Sequence, residues 1–316
     1  MKYLIFILVL STTLYTMSQE KFAKEISLVT DNDLYSSITK DRYYTSGIFL
    51  KYRYLSNKKN ESLKKRILEW QINHEMYTPY KAIVENVFNH DRPFAGYLYG
   101  SFGINRIYKS EQILNTSIQF GVIGSNSFAE ELQHFIHDIY GFKKAVGWKY
   151  QIKNAIGLNF KAAYLKPVLK TENDYFDITW TNKLNIGTVY TNISSGFYTR
   201  IGLKPLQKLT NSIAFNTNIN NEETTYNREI ESFIYIKPML RYAFYDATLQ
   251  GSFLNKESEV TNTLVPLVFN VDIGILFTAN RFNFGYVFKY NTNKSKDLKY
   301  HYGQKYGTII LSYLIR

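Results

Sequence analysis

The chain has 316 residues, with 38 Lys plus Arg against 26 Asp plus Glu, which gives a formal net charge of +12. It contains no cysteine, so disulfide frameworks, thiolate metal sites and cysteine nucleophiles are excluded. Aromatic residues make up 17% of the chain, and the mean hydropathy of −0.27 argues against a helical membrane bundle. A transmembrane β-barrel does use many aromatics, because its apolar outer band lies between two aromatic girdles.

The N-terminus has the pattern of a secretory signal peptide. Lys2 precedes an apolar run over residues 3–10, and Ser18 offers a small residue for cleavage. The run is too short to span a bilayer comfortably, so a membrane-anchoring helix is the weaker alternative. We therefore expect residues 1–18 to be a signal peptide and residues 19–316 to form a single exported domain.

Alternation of apolar and polar residues dominates the rest of the chain. In residues 282–290 every even position is Phe or Tyr, while Asn283 and Lys289 occupy odd positions. Residues 233–245 and 265–277 alternate in the same way, although Pro238 predicts a bulge or a strand end. A soluble β-sandwich is the alternative, but its strands usually run only about five or six residues. The pattern favours an all-β, transmembrane antiparallel β-barrel.

The predicted strands number thirteen, whereas single-chain bacterial barrels have an even number, so we expect about twelve. The first and last strands should pair to close the barrel. Residues 204–227, rich in Asn and Thr, are expected to form a polar loop. The thirteen segments are 24–33, 44–56, 66–78, 94–109, 112–124, 153–169, 175–190, 192–202, 231–245, 247–254, 264–277, 280–292 and 304–315.

One segment has helical spacing instead, and we expect a short helix over residues 128–140. Ser127 and Glu130 have the spacing of a capping box, and Gly141 ends the pattern. Leu132, Phe135, Ile136 and Ile139 form an apolar stripe. Gln133 and His137, four residues apart, share a side of the helix away from Phe135 and Ile139.

Strand parity assigns the polar clusters to one end of the barrel. If the chain starts in the periplasm, the connections after the first, third and fifth strands are extracellular. Asn32 and Asp33 end the first strand, Thr45 lies at the start of the second, and the predicted helix follows the fifth. All of these side chains should therefore lie at the extracellular rim.

Five motifs in the first half of the chain also resemble the outer-membrane lipid A 3'-O-deacylase family. They are Asn32-Asp33, residues 41–47 (DRYYTSG), residues 76–79 (MYTP), residues 91–96 (DRPFAG), and the stretch from Glu131 to Trp148 that contains Gln133, His137, Gly141 and Gly147. The second half resembles only a generic barrel.

The resemblance implies a twelve-stranded barrel that hydrolyses the 3'-linked acyloxyacyl chain of lipid A and depends on Ca²⁺. The family's functional residues carry over to Asn32, Asp33, Thr45, Gln133 and His137. A family lysine after the third strand has Lys81 as its nearest candidate, and a family glutamate beyond the helix is replaced around Lys143.

These residue types suit ester hydrolysis. His137 is the natural general base, and Asp33 offers hard oxygen to Ca²⁺, which would polarise the ester carbonyl. Asn32 and Gln133 offer amide donors, and Thr45 a hydroxyl that orients Asp33, the ion or water. Asn32 and Asp33 can both serve only if the strand bulges or ends there, because successive strand residues face opposite sides.

Simpler interpretations remain open for each feature. An Asn-Asp pair at a strand end is often turn chemistry, His137 alone could be an ordinary surface or lumen histidine, and Asp91-Arg92 could be a structural ion pair at the rim. For function, the alternatives are a non-catalytic channel or porin-like barrel and a phospholipase with a His-Ser pair.

We expect a monomer in the outer membrane that acts on lipid A among outer-membrane lipids. Its positive charge suits an anionic lipopolysaccharide surface, and the export signal and the barrel exclude nucleic acid as a partner.

Overall fold

A computed structural model describes residues 21–36, 42–57, 60–221 and 230–316. The predicted signal peptide, residues 1–18, lies outside the described residues. Within the described part of the chain, no helix is both long and apolar enough to cross a membrane.

Twelve antiparallel strands of the described residues close into one barrel, which confirms the predicted fold. Each strand pairs with its neighbours in sequence, and the last pairs with the first from Lys24↔Ile315 to Asn32↔Gly307. The strands are β1 (Lys24–Asn32), β2 (Tyr43–Leu55), β3 (Leu63–Thr78), β4 (Ala95–Tyr108), β5 (Ile113–Ile123), β6 (Ala155–Lys170), β7 (Phe176–Gly187), β8 (Tyr190–Gly202), β9 (Ser232–Asp246), β10 (Leu267–Ala279), β11 (Phe282–Asn291) and β12 (Gln304–Ile315).

The two faces of the wall follow the alternation in the sequence. On β11, Phe282 and Tyr286 are 41% and 40% exposed, whereas Asn283 and Val287 are buried. Asn283 and Val287 line a cavity inside the barrel, so even positions face outward and odd positions face the lumen, as predicted.

The predicted strand at residues 247–254 is wrong, which accounts for the thirteenth segment. Its first residues form a short helix, α2 (Ala247–Gln250), because the Asp246 carboxylate accepts hydrogen bonds from the Thr248 N–H (3.0 Å) and hydroxyl (2.6 Å). The predicted bulge or strand end at Pro238 is also wrong, since β9 runs through it in one register. Only the pairs of residues 197–198 with β9 are missing there, next to a residue that has no N–H to donate.

The helix after β5, α1, spans Ala129–Tyr140 and ends at Gly141, which has φ +69°. The predicted capping box is wrong: Phe128 occupies the cap position with φ +57°, and the Ser127 hydroxyl donates instead to the Gly124 carbonyl (2.5 Å). Its polar pair, Gln133 and His137, is buried. Phe135 and Ile139 are more than 60% exposed.

Residues 204–221 form the predicted loop between β8 and β9, but the loop enters the barrel, which the sequence did not predict; residues 222–227 lie outside the described residues. We call residues 204–221 the lumen plug. The Lys65 ammonium donates to the side chains of Asn211 and Asn220 in the plug, each at 3.0 Å. Arg200 contacts the plug through Ser212 (2.6 Å) and pairs with Asp177 and Glu231. Apolar plug residues pack in one cluster with inward-facing residues of most strands.

A second layer of hydrogen-bonded side chains crosses the lumen toward the other end. The Glu75 carboxylate accepts hydrogen bonds from the hydroxyls of Tyr77 (2.7 Å), Tyr99 (2.9 Å) and Tyr190 (3.0 Å). These tyrosines belong to β3, β4 and β8, so the layer extends across the barrel interior.

We expect the purified barrel in a planar lipid bilayer to show no stable open-channel current, because the plug and the tyrosine layer obstruct the lumen in series. Removal of the plug alone should leave current low, since the tyrosine layer remains. Stepwise currents of the size that porins give would contradict this prediction and favour a channel.

Candidate active site

The polar residues at the end of β1 reach one cavity because the strand stops there. Asn32 is the last residue of β1, and Asp33 begins a 3-10 turn. The Asn32 side-chain oxygen accepts a hydrogen bond from the Leu34 N–H (2.8 Å), and the Asp33 Oδ2 atom accepts one from the Arg42 N–H (2.7 Å). Asn32 therefore makes the hydrogen bond of a turn and also lines the cavity. The hydrogen bond to the Leu34 N–H fixes the position of its side-chain amide.

Thr45 enters the same cavity through a β-bulge. The pairing of β2 with β3 shifts between Tyr44↔Tyr77 and Ser46↔Met76, so Thr45 is an extra residue. A bulge redirects side chains, and here Thr45 and Ser46 both line the cavity. The Thr45 hydroxyl lies 2.6 Å from the Thr78 hydroxyl, which fixes its position.

Gln133 is oriented by an indole. The Trp148 Nε1–H donates to the Gln133 Oε1 atom at 2.8 Å, which directs the amide nitrogen of Gln133 away from the indole. The Trp148 ring packs against Phe94 at 4.7 Å between ring centroids, in a buried cluster that includes Ala129 of α1. Residues of α1, of the loop after α1 and of the segment before β4 thus fix the orientation of Gln133.

His137 is held by the chain reversal at Gly141. The Gly141 and Phe142 N–H groups both donate to the His137 carbonyl, and the chain then brings Lys143 back to the ring. The His137 Nδ1 atom lies 2.6 Å from the Lys143 carbonyl oxygen. Because a carbonyl only accepts, Nδ1 carries the proton, and the neutral ring has its lone pair on Nε2, as a general base requires.

All five side chains predicted for the site line one cavity of about 400 Å³ at the rim. They come from the end of β1, the bulge of β2 and α1, although Thr45 and Gln133 lie far apart in the sequence. The remaining walls are mostly apolar: Leu34, Met76, Ala82, Ile83, Ile136 and Phe142. The cavity combines an imidazole and two amides with walls that suit a hydrocarbon chain.

Two lysines also line the cavity. Lys81, the candidate named from the sequence, belongs to the loop after β3, and Lys143 follows α1. Both side chains are exposed, and together with Asp33 they give the walls a formal net charge of +1. A cavity of this charge favours an anionic ligand.

The oxygen atoms in the cavity are of the kind that Ca²⁺ prefers, but the protein offers few of them. Ca²⁺ takes about six to eight oxygen ligands. The Asp33 carboxylate and the Thr45 hydroxyl can both bind the ion through oxygen. Among the described residues, however, Asp33 is the only acidic residue that lines the cavity. The described part of the chain also holds no group of three His, Asp or Glu placed for a metal ion. A calcium ion here would take most of its ligands from water, backbone and substrate.

The sequence predicts the polar residues that line the cavity, but not the residues that orient them through hydrogen bonds. The sequence places Trp148 and Thr78 within motifs but indicates no role for either side chain. The Asp91-Arg92 pair is structural in a different way from the predicted ion pair. Asp91 accepts the backbone N–H groups of Tyr80 and Lys299 (both 2.9 Å), while Arg92 donates to the carbonyls of Pro93 and Thr248.

We expect Trp148→Phe to lower the kcat of ester hydrolysis, the reaction that the sequence predicts for this site, by about tenfold. The lost hydrogen bond lets the Gln133 amide rotate while the ring packing is kept. Trp70→Phe on the outer wall is the matched control, since Trp70 is 53% exposed and lies outside the cavity. Equal rates for the two variants would show that the indole does not position Gln133.

An apolar outer wall around a polar lumen defines an outer-membrane β-barrel, and a cavity at its rim is lined by a histidine, two amides and apolar side chains. The sequence matches the family described as "Outer membrane protein LpxR" over residues 4–315. The chain therefore belongs to the LpxR family and is located in the outer membrane.

The solved structure of an LpxR protein gives the same picture of the fold. The structure of LpxR from Salmonella typhimurium superposes with a TM-score of 0.71 at 16% identity, covering 92% of this chain and 100% of that chain. The β domain of the Bordetella autotransporter BrkA reaches a TM-score of 0.49 at 6% identity, covering 94% of this chain and 100% of that chain. A comparison with curated proteins finds no match.

Proposed function

We propose that the protein is a lipid A deacylase that hydrolyses the 3'-linked acyl ester of lipid A. The observation that carries the proposal is the cavity at the rim, where His137, with its lone pair on Nε2, meets the Asn32 and Gln133 amides between apolar walls. Membership of the LpxR family and the motifs in the first half of the chain support this substrate.

In this mechanism the acyl chain lies against Met76, Ile83 and Ile136, and the ester faces the polar end of the cavity. The His137 Nε2 atom accepts a proton from a water molecule, which attacks the ester carbonyl carbon. The amide N–H groups of Asn32 and Gln133 donate to the developing oxyanion. As the ester C–O bond breaks, the protonated His137 returns its proton to the leaving alkoxide of the sugar.

Calcium remains part of the proposal through Asp33. When bound, Ca²⁺ would supply Lewis-acid polarisation of the ester carbonyl, with the Asp33 carboxylate as its protein ligand and Thr45 beside it. We also propose that the protein acts as a monomer, because one chain provides all five site side chains.

The alternatives have less support. The plug and the tyrosine layer obstruct the lumen, which disfavours a channel. A phospholipase would use a serine with His137, and Ser46 is the serine that shares the cavity with it. Substitution of Ser46 therefore separates attack by water from attack by a serine.

The test uses the purified protein in detergent micelles with lipid A, followed by mass spectrometry of the products. The proposal predicts a product that has lost the 3'-linked acyloxyacyl chain as one unit, and less product when Ca²⁺ is chelated. Loss of a secondary acyl chain alone would contradict the position of cleavage. Full activity in excess chelator would remove calcium from the mechanism, and unchanged lipid A would contradict the proposal as a whole.

A further inference from the structure

A group of cations and tyrosines lies beside the cavity, and the mechanism above does not use it. The Arg42 guanidinium is 4.4 Å from the ring centroid of Tyr300 and 5.1 Å from that of Tyr302. The Lys299 ammonium is 4.2 Å from the ring centroid of Tyr80, which packs edge-on against Tyr300 at 6.4 Å. We call Arg42, Tyr80, Lys299, Tyr300 and Tyr302 the rim cluster; three of them come from the loop between β11 and β12.

A buried carboxylate fixes the rim cluster in place. Asp91 accepts hydrogen bonds from the backbone N–H groups of Tyr80 and Lys299 and from the Tyr43 hydroxyl, each at 2.9 Å. The Tyr43 hydroxyl in turn accepts from the Tyr300 N–H at 3.1 Å. Two loops distant in sequence are therefore joined through one side chain, and the rings and cations are positioned before any ligand binds.

The charges of the rim cluster have no carboxylate partner in the part of the chain that the structure describes. Among the described residues, no carboxylate forms an ion pair with Arg42 or Lys299, and Lys299 is exposed. Asp91 is buried and accepts donors from the backbone and Tyr43. A guanidinium on a ring face keeps its N–H donors in its own plane, where they can bind an anion.

The rim cluster is continuous with the cavity. The Asp33 carboxylate lines the cavity and accepts the Arg42 N–H at 2.7 Å, so one hydrogen bond separates the two features. A small recess of about 50 Å³ lies between Asp33, Arg42, Tyr302 and Lys305, on the rim-cluster side. A ligand that fills the cavity with its acyl chain would place its head group beside these residues.

We propose that the rim cluster binds a phosphate ester on the acylated sugar of the substrate, with Arg42 and Lys299 on the phosphate and the tyrosine rings against the sugar. This inference rests on the proposed function and deepens it by naming the head-group site. Phosphate is favoured because it concentrates nearly two negative charges on a compact group, which suits two adjacent cations, and a guanidinium can bind it with two N–H donors.

The test compares two lipid A preparations, one with and one without the phosphate on the acylated sugar, for the double variant Arg42→Gln/Lys299→Gln. For phosphorylated lipid A, we expect KM to rise about tenfold and kcat to stay within about twofold. For the lipid that lacks this phosphate, we expect no difference between the variant and the wild type. Equal effects on both lipids, or no effect on either, would overturn the proposal.

Lys296→Gln is the matched control, because Lys296 is exposed in the same loop and lies outside the rim cluster. It should leave KM for both lipids unchanged. A rise in KM equal to that of the double variant would show that the loop acts through general charge alone, which would also overturn the proposal.

Equilibrium binding separates this inference from the proposed function. Binding of the two lipids is measured with the full-length His137→Ala protein, which should retain the rim cluster. A preference for phosphorylated lipid A that disappears in Arg42→Gln/Lys299→Gln supports the site even if the wild type releases no acyl chain. If binding instead follows acidic core sugars in lipopolysaccharide that lacks this phosphate, the assignment to phosphate fails.

Discussion

Replacement of His137 by alanine is expected to lower the rate of lipid A deacylation by about a hundredfold or more, the usual contribution of a general base. The residue lies in the cavity with its Nδ1–H held by the Lys143 carbonyl, and no other described histidine lines that cavity. Membrane insertion should survive, because a side chain at the rim contributes little to the wall. The rate is measured as acyl release from lipid A in detergent micelles.

Two further substitutions make this result specific. His134→Ala is the matched control, since His134 lies on the same helix, contacts the Ala145 carbonyl (3.0 Å) and does not line the cavity. It should keep most of the activity. Ser46→Ala should also keep most activity if water is the nucleophile; a loss as deep as that of His137→Ala would indicate a serine nucleophile instead.

Gly96→Ala is expected to reduce activity by about a hundredfold, the loss that a misplacement of about 1 Å can cause. A Cβ atom at Gly96 would lie 2.1 Å from the Ser127 hydroxyl and 2.3 Å from the Ala129 Cβ atom, where α1 packs on β4. The helix must move away, and Gln133 and His137 move with it relative to Asn32 and Asp33. The kcat of the purified variant measures this displacement.

Gly100→Ala on the same strand provides the matched control. A Cβ atom there would meet only backbone oxygens of neighbouring strands, at 3.9 and 4.0 Å, which are ordinary contacts. Both variants should insert and migrate as folded barrels. Similar activity in the two would show that the packing of α1 on β4 does not set the geometry of the site.

The wall of the barrel could be predicted from the sequence because period-two alternation reports directly which side chains face lipid. The sequence could not show where a polar loop lies, inside or outside the barrel. Residues 204–221 are polar in composition, but a barrel lumen is polar too. Lys65 and Arg200 donate hydrogen bonds to polar side chains of this segment inside the barrel. The strand predicted over residues 247–254 is wrong because the carboxylate of Asp246 caps a short helix there, which an alternating pattern does not reveal.

The site could be assembled from the sequence only in part. Strand parity placed Asn32, Thr45 and His137 at one rim, and the resemblance selected them from many polar residues. Neither could show that β1 ends at Asn32 or that a bulge redirects Thr45, because both depend on pairing with neighbouring strands. The indole that holds Gln133 and the carbonyl that holds His137 likewise follow from the fold.

The central claim is that this cavity removes an acyl chain from lipid A, and mass spectrometry of lipid A from whole cells tests it most directly. Cells that express the wild-type chain are compared with cells that express His137→Ala at the same level in the outer membrane. We predict lipid A lighter by the 3'-linked acyloxyacyl chain in the first cells and intact lipid A in the second. Intact lipid A in both, or equal loss in both, would contradict the assignment of His137 and its cavity as a lipid A deacylase site.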